Sequence, residues 1–347
     1  MQTKMLINGE LVDGDAEAIP VLNPSNGETV ALIGEASPQQ IEAAAIAAQE
    51  AFETYRFSTP AERAAHLLAV ADVIAQNIEE LSELETIDVG KPWPMARDEE
   101  MPLTIDTFRF MAGAARTRTG SATGEYVADH TSMIRKDPIG PVASIAPWNY
   151  PLMMAAWKIS APLAAGCTMV LKPSELTPLA TLRLAELLAD VLPKGVFNVI
   201  HGRGETVGEA LINDPRMEGI SITGSPATGM AAMRAASNKI RHVHLELGGK
   251  APVIAFDDCD VQALAETIRY GSYFNAGQDC AQPCRVLALE GVYDKLLEAV
   301  SDQVGQIQIG TPKSDVTEMG PIVSANQRER VAGFVERARG AAEIAVG

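Results

Sequence analysis

The sequence predicts an α/β fold: an open parallel sheet preceded by helices, an extended arm, and an incomplete second α/β unit. Three observations predict it. Residues 39–118 carry Ala-, Leu- and Glu-rich segments whose apolar positions recur every three or four residues, the period of amphipathic helices. From about Val142, short apolar runs alternate with helix-length segments, the rhythm of a parallel sheet covered on both faces. After Gly249 the same rhythm starts again at 252–256 and is still running at Gly347.

Residues 6–12 read as a hairpin, because Asn8-Gly9 suits a two-residue turn between short apolar runs. Asn23-Pro24-Ser25-Asn26-Gly27 marks a second turn. Helices are expected at 39–55 and 61–87. Residues 121–139 alternate polar and apolar around Tyr126, Val127 and Met133, which suits either an extended arm or a plain surface hairpin. Strands are expected at 142–146, 168–172, 196–200, 219–223 and 242–247, with helices at 155–165, 178–191, 205–213 and 227–236 between them.

Composition narrows the function. Lys and Arg number 28 against 45 Asp and Glu, a net charge of −17, and no basic stripe tracks a phosphate backbone. Nucleic acid and anionic membrane surfaces are therefore excluded as partners. The N-terminus lacks the apolar core of a signal peptide and no later stretch has the length of a membrane span, so a cytoplasmic protein is expected. Four cysteines (Cys167, Cys259, Cys280, Cys284) form no CxxC pair and no metal-type spacing with the five histidines. No metal is expected, and one cysteine is free to be chemical.

Cys280 sits in the polar turn Asn275-Ala276-Gly277-Gln278-Asp279-Cys280, unlike a cysteine chosen for packing. An ordinary thiol, pKa ~8.5, is only slightly ionised at neutral pH, so a nucleophile there needs local help; the alternative is an inert thiol, the reading given to Cys167 and Cys259. Glu246 ends an expected strand just before Leu247-Gly248-Gly249, where a buried carboxylate would serve as a base or be held in a structural hydrogen bond. Lys172-Pro173-Ser174-Glu175 ends another strand at the carboxyl edge where open sheets bind ligands; it suits ribose hydroxyls or an exposed salt pair. The stretch 201–208 has one residue too many for GxGxxG, so it is a phosphate-facing loop or a turn that needs glycine. Around Gly224 and Gly229, backbone N–H groups can face a pyrophosphate, or Ser225 simply caps a helix with Pro226 at its first position.

Together these stretches resemble the aldehyde dehydrogenase superfamily along essentially the whole chain. The resemblance rests on Pro147-Trp148-Asn149-Tyr150-Pro151, Ala156-Trp157-Lys158, Lys172-Pro173-Ser174-Glu175, Thr223-Gly224-Ser225, Leu245-Glu246-Leu247-Gly248-Gly249-Lys250 and 275–280, in that order. It implies that Cys280 attacks an aldehyde, that the Asn149 amide and the Cys280 backbone N–H hold the oxyanion, and that Glu246 activates the hydrolytic water. It also implies an NAD site made by Ala146, Pro147, Trp148, Lys172, Ser174, Glu175, Gly204, Ser225, Thr228 and Leu247. A carboxylate at Glu175 accepts from ribose hydroxyls and repels a 2′-phosphate, favouring NAD over NADP. The implied division is an NAD-binding domain at 1–120 and 140–248, an oligomerisation arm at 121–139 and the first part of a catalytic domain at 249–347.

Within the superfamily, 108–116, 130–135 and 275–280 are similar to 4-aminobutyraldehyde dehydrogenases and related aminoaldehyde and betaine-aldehyde enzymes. Many relatives have a neutral residue where this chain has Asp279. The resemblance implies that Asp279 pairs with a substrate ammonium, that Asp106 adds a second charge, and that Tyr150, Trp157 and Phe110 offer aromatic faces. The alternative is that Asp279 caps a loop and Trp157 is core. The expected substrate is 4-aminobutanal, with betaine aldehyde or a simple aliphatic aldehyde as alternatives, and the expected assembly a homodimer or homotetramer. Family members continue past Gly347, so a fragment of an active dehydrogenase is expected, or a truncated product that binds NAD and assembles without turnover.

Overall fold

The computed structural model describes residues 2–347. Strands β1 (Met5–Ile7) and β2 (Glu10–Val12) close a hairpin on Asn8 and Gly9, whose φ values of 53° and 77° are those a tight primed turn requires. A second hairpin, β3 (Ala18–Leu22) with β4 (Thr29–Gly34), had no clear signal in the sequence beyond the turn at 23–27. Helices α1 (Pro38–Tyr55) and α2 (Pro60–Gln76) each open with a capping box, Ser37 with Gln40 and Thr59 with Glu62, followed by proline. The helix expected at 61–87 is broken: Asn77 leaves helical geometry (φ −122°, ψ 21°) and donates its side-chain amide to Val73 O at 2.8 Å. A side chain that bonds the preceding turn competes with the helical ladder. Helix α3 (Ile78–Val89) restarts after it and stops at left-handed Gly90.

A single turn α4 (Trp93–Met95) and a π turn at Ala96–Glu100 lead into α5 (Met101–Thr117). The segment after it is a surface hairpin, β5 (Ser121–Val127) with β6 (His130–Ile134), paired among the described residues to no other strand and exposing Tyr126, Val127 and Met133. Then come β7 (Val142–Ile145), α6 (Pro151–Ala165), β8 (Met169–Lys172), α7 (Leu179–Leu188), β9 (Phe197–Val199), a π turn at Gly204–Gly208 with α8 (Glu209–Asn213), β10 (Gly219–Gly224), α9 (Pro226–Ser237) and β11 (His242–Leu247). Helix α6 starts at Pro151, earlier than expected, because proline suits the first helical position. The last region contains β12 (Pro252–Ala255), α10 (Val261–Tyr273), a 3-10 turn at Phe274–Gly277, β13 (Arg285–Ala288), α11 (Glu290–Gly305) and α12 (Ala325–Ala338); β12 and β13 pair in parallel.

The main sheet runs β11-β10-β7-β8-β9-β1-β2, with the first five strands parallel and the N-terminal hairpin added antiparallel to β9. That docking was not foreseen. Met5 and Leu6 supply its apolar reason, being fully buried, and Asn198 supplies its polar one. Buried in β9, Asn198 accepts from the Asn8 N–H at 2.9 Å and donates to Gly195 O at 2.8 Å and Met169 O at 3.2 Å. Asn198→Leu leaves these backbone groups unpaired and is expected to lower stability by roughly 2–4 kcal/mol, read as a lower urea midpoint. Among the described residues no helix is long and apolar enough to cross a membrane.

Candidate active site

Because β7 lies between β8 and β10, the chain crosses in opposite directions on either side of it, which opens a crevice at the carboxyl ends of these strands. Ala146, Pro147, Trp148 and Asn149 follow β7, Lys172 ends β8 with Ser174 and Glu175 just beyond, Ser225 follows β10, and Leu247 ends β11. Lys172 is buried, not part of an exposed salt pair: its Nζ donates to Pro173 O (2.7 Å) and Gly202 O (2.9 Å) and lies 3.4 Å from Glu175 Oε2. Burial lowers its pKa, partly offset by Glu175. Ser174 is also buried, with Oγ accepting the Leu176 N–H at 3.2 Å.

The glycine-rich loop is held by a residue the sequence reading missed. Glu35, at the end of the second hairpin, accepts the Arg203 N–H at 2.7 Å and the guanidinium at 3.1 Å, and takes the Thr206 hydroxyl. Ser225 does cap α9, accepting the Thr228 N–H at 3.2 Å, and its Oγ lies 3.0 Å from the Thr228 hydroxyl. A cleft of about 600 Å³ lies between this helix start and the loop, lined by Ile145, Gly204, Gly208 and Thr228. A Cβ on Gly208 would come within 3.4 Å of Ile145, whereas at Gly204 it would meet nothing. A helix N-terminus facing a glycine-lined cleft fits a dinucleotide, and Glu175, half-buried, lies just beyond the end of β8, the strand next to β7.

The cysteine loop is strained and cross-braced. Asn275, Ala276 and Gly277 are all left-handed (φ 49°, 56° and 71°), a conformation costing a non-glycine residue roughly 1–2 kcal/mol. Asn275 is buried and donates to Asn149 O at 2.9 Å, while Asn149 Nδ2 returns a bond to Gln278 O at 2.9 Å. Gln278 donates through N and Nε2 to Asn275 O (3.1 and 3.0 Å) and accepts the Val323 N–H at 3.0 Å. Asparagine's tolerance of left-handed backbone was the available signal for Asn275; Gln278 had none.

Cys280 is half-buried, and its thiol is pushed up to about 11 by burial first, then by the nearby carboxylates of Asp279 and Glu246. Glu246 is half-buried rather than fully buried as expected, because β11 is an edge strand whose one neighbour among the described residues is β10. Lys158, unassigned by sequence, is buried on α6 and donates to Ser221 Oγ at 3.0 Å, with His244 Nδ1 3.2 Å further on. Burial lowers its pKa to about 7, against the pull of Glu246.

The expected substrate residues fall into two groups. Asp279 lines a cleft of about 330 Å³ with Glu99, Glu100, Tyr150, Tyr270 and Phe274. Both its oxygens are engaged, Oδ2 by the Tyr150 hydroxyl at 2.8 Å and Oδ1 by the Ala281 N–H at 2.6 Å, so it also braces its own loop. Tyr150 offers no free ring face: Lys91 Nζ lies 4.4 Å from its centroid and Phe274 stacks at 6.3 Å. Asp106, Phe110 and Trp157 line a different cavity, of about 740 Å³, with Lys158 and His244. The helical rise explains the separation: Trp157 lies two turns beyond Tyr150 on α6, ~10 Å along the axis.

A model of the aldehyde dehydrogenase family matches residues 11–347. A betaine aldehyde dehydrogenase of Cereibacter sphaeroides is 41% identical over 330 residues, covering 95% of this chain and 68% of that protein. An aldehyde dehydrogenase from Bacillus cereus, solved as its NAD+ complex, matches with TM-score 0.96 at 37% identity over 100% of this chain and 72% of its own. A betaine aldehyde dehydrogenase from Staphylococcus aureus in complex with NAD+ also gives TM-score 0.96 and 37% identity, over 100% and 70%. Two of these relatives are named for betaine aldehyde and none for 4-aminobutanal, so the comparisons support the superfamily and not the finer substrate assignment. With fold, motif order and similarity agreeing over nearly every residue, the chain belongs to the aldehyde dehydrogenase family.

Proposed function

We propose that this aldehyde dehydrogenase oxidises an aldehyde carrying a cationic group, with NAD as cofactor and Cys280 as nucleophile. Glu246, near enough for its charge to act on the Cys280 thiol, takes the thiol proton as sulfur attacks the carbonyl carbon and then passes it to solvent. The oxyanion accepts from the Cys280 backbone N–H and from Asn149, whose amide has a second N–H beyond the one given to Gln278. NAD held in the crevice would supply the acceptor for the hydride lost from the substrate carbon. Lys172, Ser174 and Glu175 would hold the adenosine ribose, with Ala146, Pro147, Trp148 and Leu247 along the crevice and Gly204, Ser225 and Thr228 around the pyrophosphate. Glu246, once more a carboxylate, takes a proton from the water that attacks the thioester; collapse expels the Cys280 sulfur, which takes that proton back as the thiol, and the acid leaves as a carboxylate with its own proton lost to solvent. We assign NAD binding to 1–120 with 140–248, catalysis to 249–347, and assembly into a cytoplasmic homodimer or homotetramer to the hairpin within 121–139.

The observation that carries the substrate class is the cleft walled by Asp279, the residue before Cys280, and by Glu99, with Tyr270 and Phe274. Carboxylates and aromatic faces attract an ammonium and give a neutral aldehyde nothing comparable. Asp279 supports 4-aminobutanal; the relatives' names favour betaine aldehyde as a second reading. Asp279→Ala is expected to raise KM roughly 10- to 100-fold for both cationic aldehydes, the loss of one charged hydrogen bond, and under about threefold for a neutral aldehyde of equal length. Equal losses in a kcat/KM series would remove the charge-pairing role.

A further inference from the structure

A buried charge network lies behind Tyr150 that the reaction does not use. The side chain of Lys91 is fully buried, with Nζ 3.2 Å from Glu85 Oε2 and bonded to Glu100 Oε2. Glu85 is buried too, and its other oxygen accepts the Leu152 N–H at 2.8 Å, at the start of α6. The same ammonium packs over the Tyr150 ring, and the Tyr150 hydroxyl donates to Asp279, next to Cys280. Two contacts therefore run from Lys91 to the thiol loop, through Tyr150, the residue next to Asn149. Desolvating such a triad brings little net stability over apolar packing, so its contribution is orientation.

We propose that Lys91 is a positioning residue for the nucleophile: it fixes the Tyr150 ring, and through the Tyr150 hydroxyl it neutralises part of the Asp279 charge beside Cys280. Asp279 from its own loop and Glu246 from β11 are the charged groups facing the thiol; Asp279 and Glu100 face the phenol. Both carboxylates near the thiol disfavour its ionised form, so a donor taken from Asp279 makes the thiolate harder to form. This rests on Cys280 being the nucleophile and on nothing about the substrate.

The test is alkylation of Cys280 by iodoacetamide across a pH series, followed at the Cys280 peptide by mass spectrometry, with thermal unfolding measured in parallel. Two changes are crossed: Tyr150→Phe, which keeps the ring, and the neutral set Lys91→Met, Glu85→Gln and Glu100→Leu, which leaves no orphaned charge in the triad. Each is expected to slow alkylation at pH ~8 by roughly three- to tenfold, half to one pKa unit, and both together no more than either alone. Additive effects would show that the triad does not act through Tyr150. An unchanged profile in the neutral set, or its failure to fold, would assign the triad to the core and overturn the proposal. A parent protein whose Cys280 alkylates normally but which oxidises no cationic aldehyde would sink the substrate reading and leave Lys91 standing.

Discussion

Replacing Cys280 by alanine is expected to cut NAD-dependent aldehyde oxidation by on the order of 10⁴-fold or more, measured as kcat for NADH formation. Alanine keeps the backbone N–H and disturbs none of the bonds that Asn149, Asn275 and Gln278 exchange around the loop, so the fold and aldehyde binding should persist. What disappears is the one atom that can hold the substrate carbon covalently. Cys284 is exposed four residues further on and is the natural control: Cys284→Ala should stay near the parent rate. A Cys280→Ala protein retaining more than about one hundredth of parental kcat would defeat the covalent route, since such residual rates lie far above those of enzymes stripped of their nucleophile.

Glu246→Gln should lower steady-state turnover by roughly 10²–10⁴-fold, the range of a positioned general base. Glutamine matches the half-buried side chain in shape at the end of β11 but cannot take a proton from water. Thioester hydrolysis therefore becomes the slow step. Rapid mixing at high pH, where the thiol ionises without help, should show a burst of about one NADH per site before the slow phase, as ping-pong acyl-enzyme chemistry requires. Loss of the burst with an equal loss of turnover would confine Glu246 to the first half of the reaction.

The five parallel strands were legible because each is a short apolar run between turn residues, and β7 and β8 are buried as such runs require. The docking of the first hairpin on β9 was not legible, because a two-strand signal carries no information about which edge it joins. At the site, Cys280, Glu246 and Asn149 stood out by their setting in motifs, whereas their supports did not. Glu85, Lys91 and Glu100 read along the sequence as ordinary charged surface, and only the meeting of α3, the π turn and α6 makes them a buried set. Asp106, Phe110 and Trp157 were picked out by type, which suits a cationic substrate, but type carries no information on spacing, and helical pitch places them in a different cavity from Asp279.

The N-terminal hairpin has a consequence for how the chain is made. Asn8 and its partner Asn198 are 190 residues apart. At ribosomal speeds of about 5–20 residues per second, β1 waits some ~10–40 s before its neighbour β9 has even been synthesised. During that time Met5 and Leu6 have no sheet to enter, and the tight turn at Asn8-Gly9 gives the two strands only each other. Of the seams in the sheet, that between β1 and β9 joins the segments farthest apart in the chain, which ties its closure to translation rate and to any chaperone that shields a short apolar hairpin.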